Sequence, residues 1–233
     1  MAHLLALLLA AAAWEAAARA GWVAMLLFPP PTIILAWLVE SLRNGEMAES
    51  LMASGQRLVL GFGLGAGLGT LAGLAMGLAP RLHRALDPVI AALHPMPKVA
   101  LLPLFLVLFG FSEKARMVPV ALVAFFPAAI AGAVAVRAID PLLWNVARNY
   151  GAPPLMVLRR LVLPGAWPVL RAGLRLSLNA AIVVLISVEM LSGNDGLGAA
   201  VWQSWQTMRV EQLYGTLLVL AMLGLVFNRC LGR

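Results

Sequence analysis

The sequence predicts an all-α, polytopic membrane protein with about six transmembrane helices, each needing about 20 mostly apolar residues. Three observations carry that prediction. The 233 residues are 62% hydrophobic and only 12% charged, where soluble domains carry about 25% charged residues. Mean hydropathy is +0.92. Long apolar runs alternate with short polar connections, which leaves no room for a separate soluble catalytic domain. The net charge of +7 comes from arginines gathered in particular loops, a topology signal rather than a nucleic-acid footprint. The single cysteine, Cys230, allows no internal disulfide.

Residues 1–28 read as an uncleaved first transmembrane helix. His3 to Ala13 have the apolarity of a signal peptide but lack its basic start, and apolar character resumes after Trp14. Glu15 and Arg19 stand at i,i+4 with the acid first, the favourable order on a helix. Trp14 and Trp22 place that end at the membrane interface. The prolines at 29–31 stop the helix. Residues 29–54 then form a connection on the outer, periplasmic side. In it Thr32 is placed to cap a surface segment carrying Ile33, Ile34, Trp37 and Leu38.

Residues 55–79 read as the second span, with Gly61, Gly65, Gly69, Gly73 and Gly77 at every fourth position. In a lipid environment such a strip lets another helix approach closely; Gly63 and Gly67 widen it. The stretch 67–72 also fits a loose dinucleotide pattern, but without the strand–turn–helix context that gives the pattern its meaning. A short basic loop at 80–88 leads to a third apolar segment, 89–110, interrupted by Pro95, Pro97 and Pro103 with Lys98 among them. Irregular backbone at membrane depth survives only against protein or a water-filled cavity, so this segment is a candidate lining of an internal path. A fourth span at 115–136 holds Pro119 and Pro127. A long cytoplasmic interruption, 137–170, precedes a fifth span ending near Leu191. Residues 199–213 suit an interfacial helix, and 214–229 form the last span.

With both termini cytoplasmic, Arg81, Arg84, Arg137, Arg148, Arg159, Arg160, Arg171, Arg175, Arg229 and Arg233 fall inside, opposed by Asp87 and Asp140. The other side holds Arg43, Lys114, Arg116 and Arg209 against Glu40, Glu46, Glu49, Glu113, Asp195 and Glu211, the asymmetry that the positive-inside rule requires. Within the interruption, Gly151 breaks one helix, and a short second helix runs over 152–160. Pro153 and Pro154 sit in its first turn, Arg159 and Arg160 at its C-terminal end, and Pro164 terminates the helical stretch beyond them. Its apolar face, Leu155, Met156 and Leu158, is left for a protein partner, or for anionic lipid attracted by the arginines. Lys98 and Glu189 are the intramembrane ionisable groups to name for a translocation path or gate; the other readings are that Lys98 packs against helix-end carbonyls or joins an interhelical pair, and that Glu189 anchors or caps the loop after it.

Gly151, nine residues, then LVLP at 161–164 resembles the E-A-A-x3-G-x9-I-x-L-P signature of the membrane subunits of bacterial ABC importers. VRAIDP at 136–141 extends the match. PKVALLPL at 97–104, LFG at 108–110, FFP at 125–127, Glu189-Met190 and GLG at 196–198 resemble the aliphatic sulfonate, taurine and nitrate branch. Asn145 stands where the signature has its glutamate, and Leu161 where it has isoleucine. The resemblance implies a type I importer permease of MetI-like fold in the bacterial inner membrane, with residues 55–233 as the permease core domain. It implies a homodimer fed by a periplasmic or lipid-anchored solute-binding protein, importing a small anion. Two ATPase subunits would dock on Gly151, Ala152, Leu155, Met156, Leu158, Arg159, Leu161, Leu163 and Pro164. ATP and Mg would sit on that partner, because this chain has no G-x-x-x-x-G-K-[ST] loop. No catalytic residue, metal, cofactor or nucleic-acid partner is expected in the chain itself. Two other classes are weighed on the residues: a secondary transporter, which would want matching broken-helix halves, and a small membrane enzyme. His3, His83 and His94 show no metal-ligand spacing for the latter.

Overall fold

The computed structural model describes residues 2–232; the surroundings of the side chains at 1–4, 7, 232 and 233 lie outside the description, and with them the readings on His3 and Arg233. Among the described residues there is helix and no strand. In chain order the helices are α1 (Ala2–Arg19), α2 (Pro31–Arg43), α3 (Glu46–Leu78), α4 (Pro80–Leu93), α5 (Leu102–Phe109), α6 (Glu113–Arg137), α7 (Pro141–Asn149), α8 (Pro154–Val157), α9 (Leu163–Ser192), α10 (Leu197–Gln206) and α11 (Val210–Gly232). A 3₁₀ turn, Lys98–Leu101, precedes α5, and a π-helical turn, Leu158–Val162, joins α8 to α9.

Four of these are long and apolar enough to cross a membrane: Glu46–Leu78, Glu113–Arg137, Pro154–Ser192 and Val210–Leu231. Pro80–Leu93 with Lys98–Phe109 makes a fifth only as a pair bent by 85°, a broken span or a re-entrant loop. The sequence expectation of about six spans would put one more on α1, which is not among these candidates and where several side chains are undescribed. Three local readings change. The stretch 80–88 is helix rather than loop, because Pro80 occupies the first turn, where its missing N–H costs nothing. The helix of the second span starts at Glu46: Gly45 turns the chain at φ +90°, Asn44 Oδ1 accepts from the Glu46 N–H, and Glu46 and Glu49 suit the positive end of the dipole. Thr32 does not cap α2 with its own side chain. The helix begins at Pro31, and Glu15 of α1 accepts from both the Thr32 N–H (3.1 Å) and its hydroxyl (2.8 Å) while pairing with Arg19 at 2.6 Å.

The chain divides into two compact units. Residues 1–55 with 189–223 form one; in it α11 lies so close to α2 that a Cβ on Gly215 would sit 2.5 Å from the Trp37 ring. Residues 56–188 with 224–233 form the other. In it α3 packs closely against α6. A Cβ at Gly65, Gly69 or Gly73 would overlap the backbone carbonyls of Ala121, Phe125 or Ala129, and one at Gly61 or Gly77 would press on Val120 or Val136. Lipid tails are as apolar as leucine, so what holds two helices here is van der Waals contact between backbones, which glycine alone permits at this separation. Gly63 and Gly67 do not widen the strip: they are exposed, and a Cβ added at either would meet nothing within 4 Å. They lie about 100° per residue around the helix from the strip and miss α6.

Candidate functional site

The interruption at 137–170 folds into a rigid knuckle. Asp140 caps α7, its carboxylate accepting from the Leu142 N–H at 2.8 Å, and Pro141 opens the first turn. α7 then ends in a Schellman motif: Ala152 N–H donates to the Ala147 carbonyl (3.0 Å) and Gly151 N–H to that of Arg148 (3.1 Å). Gly151 has φ +61° and open space around it, so the requirement for glycine is the left-handed backbone and not room. Pro153 and Pro154 start α8 directly.

The knuckle has two faces. Trp144, Val157, Leu158 and Leu161 turn inward, onto a core of Leu74, Ala135, Val136, Ile139, Val162, Ala166 and Leu170. Leu155 and Met156 point outward, 58% and 45% exposed. Leu158 is therefore not part of an exposed apolar face: it is half-buried and packs on the inner side with Val157 and Leu161. Ala152 is half-buried, and Arg159, Leu163 and Pro164 are exposed. Pro164 does not end the helix either. The π turn, closed by Leu163 N–H donating to the Leu158 carbonyl, widens the backbone just ahead of a residue that has no N–H to give, and the chain runs on to Ser192. Sequence reasoning missed a second part of the outer face. Leu142 and Val146 on α7 and Tyr150 at its C-cap recur at i, i+4 and i+8 and are 65%, 45% and 86% exposed. That spacing after an Asp-Pro start was the available signal. Asn145 and Arg148 are exposed on the same helix.

Lys98 is 5% exposed, and its ammonium donates to the carbonyls of Leu93 (2.9 Å) and His94, with the Phe126 ring 4.6 Å away. These are among the last carbonyls of α4, which have no partner within the helix. A cation at a helix C-terminus meets both their lone pairs and the dipole. Two of the three N–H donors are thus committed to holding the bend between α4 and α5.

Glu189 is fully buried near the end of α9. Its carboxylate accepts from the Ser54 hydroxyl (2.8 and 2.9 Å to the two oxygens) and from the Gly198 N–H (2.9 Å), while Ser54 Oγ accepts from the Leu197 N–H at 2.8 Å. Leu197 and Gly198 open α10, so the negative charge sits where that helix's unpaired donors point. Gly196, at φ +100°, lies so close that a Cβ would be 2.6 Å from the carboxylate carbon. Glu189 anchors the loop after α9.

A third buried group went unnoticed in the sequence. Arg57, 3% exposed on α3, forms a two-pronged pair with Glu113 at 2.7 and 2.8 Å, and Arg116 joins the same carboxylate at 3.1 Å. A single arginine just inside an apolar run was the signal, since such charges are costly in lipid unless paired. No group of three His, Cys, Asp or Glu able to hold a metal occurs among the described residues.

Four membrane-length helices among the described residues, a bent helix pair held at a buried lysine, and an exposed amphipathic knuckle on a basic loop define a multi-pass membrane protein. The chain belongs to the binding-protein-dependent transport system inner membrane component family, whose model matches residues 65–232. It is 33% identical over 213 residues to the Escherichia coli (strain K12) permease protein SsuC, named for aliphatic sulfonates transport, covering 91% of this chain and 81% of that one. It is 28% identical over 220 residues to the taurine transport system permease protein TauC of the same organism, covering 92% of this chain and 80% of the other. A chain of the inward-facing MetNI methionine ABC transporter shares its fold, with a TM-score of 0.69 at 20% identity over 84% of this chain and 94% of that chain. The protein is thus a multi-pass inner-membrane permease subunit of an ABC importer and not an enzyme; in such systems the ATPase is a separate subunit and a binding protein is a partner. Neither the secondary transporter nor the membrane enzyme survives this assignment.

Proposed function

We propose that two copies of this chain form the membrane core of an importer for a small organic or inorganic anion of the sulfonate, taurine or nitrate kind. A periplasmic or lipid-anchored binding protein delivers the solute. Two ATPase subunits, which hold the ATP and Mg, dock on the knuckle formed by α7 and α8. Both termini lie on the cytoplasmic side with the knuckle, in keeping with the arginine distribution. The observation that carries this reading is the outer face of Leu142, Val146, Tyr150, Leu155 and Met156, large apolar side chains left exposed on a segment immobilised by a Schellman turn and by inward packing of Leu158 and Leu161. Exposed apolar groups on a rigid, charged loop suit a protein partner.

ATP can drive transport only through different affinities for two permease conformations, and that difference has to pass through the docking contact. Because α8 runs through the π turn into α9 as one helix, Pro154–Ser192, displacement of Leu155 and Met156 is carried into a membrane-crossing segment. Asn145, exposed in place of the signature glutamate, leaves this docking face without an acidic contact at that point.

The test is import in proteoliposomes holding permease, ATPase and binding protein. Leu155→Asp with Met156→Asp is expected to lower import at least about tenfold, the equivalent of 1.4 kcal/mol of lost coupling, with the permease itself still folded. Import at the wild-type rate would overturn the docking assignment. Comparing labelled taurine, an alkanesulfonate and nitrate in the same vesicles identifies the anion, and import of none of them would overturn the substrate class.

A further inference from the structure

In the unit formed by residues 1–55 and 189–223, a crevice of about 340 Å³ opens between α1, α2 and α11. It is lined by apolar surface from Trp14, Ile34, Leu35, Tyr214, Leu217 and Leu218. The Trp14 and Tyr214 rings stand edge to face at its wall, 5.5 Å apart. Leu35 is shared with a shallower groove that continues along one side of α2 past Ala36 and Val39 to Glu40 and Arg43. From Leu35 to Arg43 that side runs about 12 Å at 1.5 Å per residue. The groove thus joins an apolar pocket to two exposed opposite charges, neither of which makes an ion pair among the described residues.

With 13 residues, α2 is too short to cross a bilayer. Leu35, Val39 and Leu42, about half exposed, fall on one side of it at 100° per residue, the pattern of a helix lying in the interface with its apolar side in the acyl boundary. An apolar opening at that level in an inner-membrane protein faces hydrocarbon and headgroups. The ligand that matches the groove has an apolar chain at one end and both an anion and a cation at the other. Arg43 and Glu40, one turn apart, supply the complements of a phosphate and an ammonium.

We propose that this groove is a binding site for a zwitterionic phospholipid of the phosphatidylethanolamine type. One acyl chain lies in the crevice over Trp14, Leu35 and Leu217, the phosphate is held by Arg43, and the ammonium by Glu40. A phospholipid lacking the ammonium would leave Glu40 facing the phosphate uncompensated, so phosphatidylglycerol binds less well.

The test places the permease with its ATPase in nanodiscs containing phosphatidylethanolamine or phosphatidylglycerol with a photoreactive acyl chain, and maps the labelled peptides. Labelling of α2 and α11 by the ethanolamine lipid is expected, falling about fivefold with the glycerol lipid and about fivefold again with Arg43→Ala, the change that one arginine near the membrane surface accounts for. Leu35→Trp should block the crevice, whereas Leu64→Trp, on an exposed side of α3, should leave labelling unchanged. Each variant is first shown to be monodisperse, and Arg43→Ala, a surface change, stands in if Leu35→Trp does not fold. Equal labelling by both lipids, undiminished in Arg43→Ala, would overturn the proposal in favour of ordinary bulk lipid. Disulfide coupling of two Leu35→Cys chains in a Cys230→Ser background, with α2 unlabelled, would overturn it in favour of a second copy.

Discussion

The seam between α3 and α6 and the outer face of α7 and α8 are both apolar helix surfaces, yet they are built in opposite ways. On the seam the side chains shrink to nothing: Gly65, Gly69 and Gly73 leave no space between their backbone and the carbonyls of Ala121, Phe125 and Ala129. On the knuckle the side chains stay large, and Leu142, Tyr150 and Leu155 remain more than half exposed. The seam's partner is within the same chain and within the membrane, where close contact is the only attraction that helix association can draw on. On the docking reading proposed above, the knuckle lies outside the bilayer, where burying large apolar groups against another protein is itself favourable. On that reading, residue size distinguishes a contact completed by folding from one left open for assembly.

Breaking the seam should have the largest effect. Gly69→Leu forces a side chain into the Phe125 carbonyl and is expected to cost about 3 kcal/mol or more, beyond the usual range for overpacking because backbone cannot step aside. The readout is loss of monodisperse permease on size-exclusion chromatography. Gly67→Leu, two residues away in open space, should be recovered at wild-type yield, and equal loss in both would show that glycine matters there for some reason other than the seam.

Glu189→Ala comes next. It strands the Ser54 hydroxyl and the Gly198 N–H in a buried site, at about 1–3 kcal/mol for each unsatisfied group; the thermal midpoint of the purified complex should drop accordingly, and Glu189→Gln should recover part of the loss. Lys98→Met keeps the aliphatic stem but frees the Leu93 and His94 carbonyls, and should cost about 1.5–3 kcal/mol, as for a hydrogen bond to a charged group. If Lys98→Met left stability intact while import fell, the lysine would be acting on the solute rather than on the bend. The smallest effect is expected at Gly151. Alanine there should cost about 1 kcal/mol for the left-handed backbone and asparagine less, with stability and docking affinity separating this from the side-chain changes at Leu155 and Met156.

How far the sequence could be read depended on the range of the interaction involved. The glycine period on α3, the Gly151 stop and the Asp140-Pro141 start are local, since backbone conformation and helix geometry decide them within a few residues. Pro164 was misread as a terminator because a π turn, visible only in the folded backbone, absorbs it. Leu158 was placed on the outer face because the core that covers it, Val136, Ile139 and their neighbours, comes from elsewhere in the chain. Arg57 and Glu113 are 56 positions apart, and Ser54 and Glu189 are 135 apart, so neither pairing has any periodicity to betray it.

The amino-acid sequence by itself determined the helical class, the membrane and the family, because hydropathy, helix period and turn chemistry act through nearest neighbours along the chain. Tertiary structure alone decided which side of the knuckle faces outward, and that Lys98 and Glu189 hold a bend and a loop. A buried charge takes its role from the carbonyls, hydroxyls and N–H groups brought around it, and those come from remote parts of the chain.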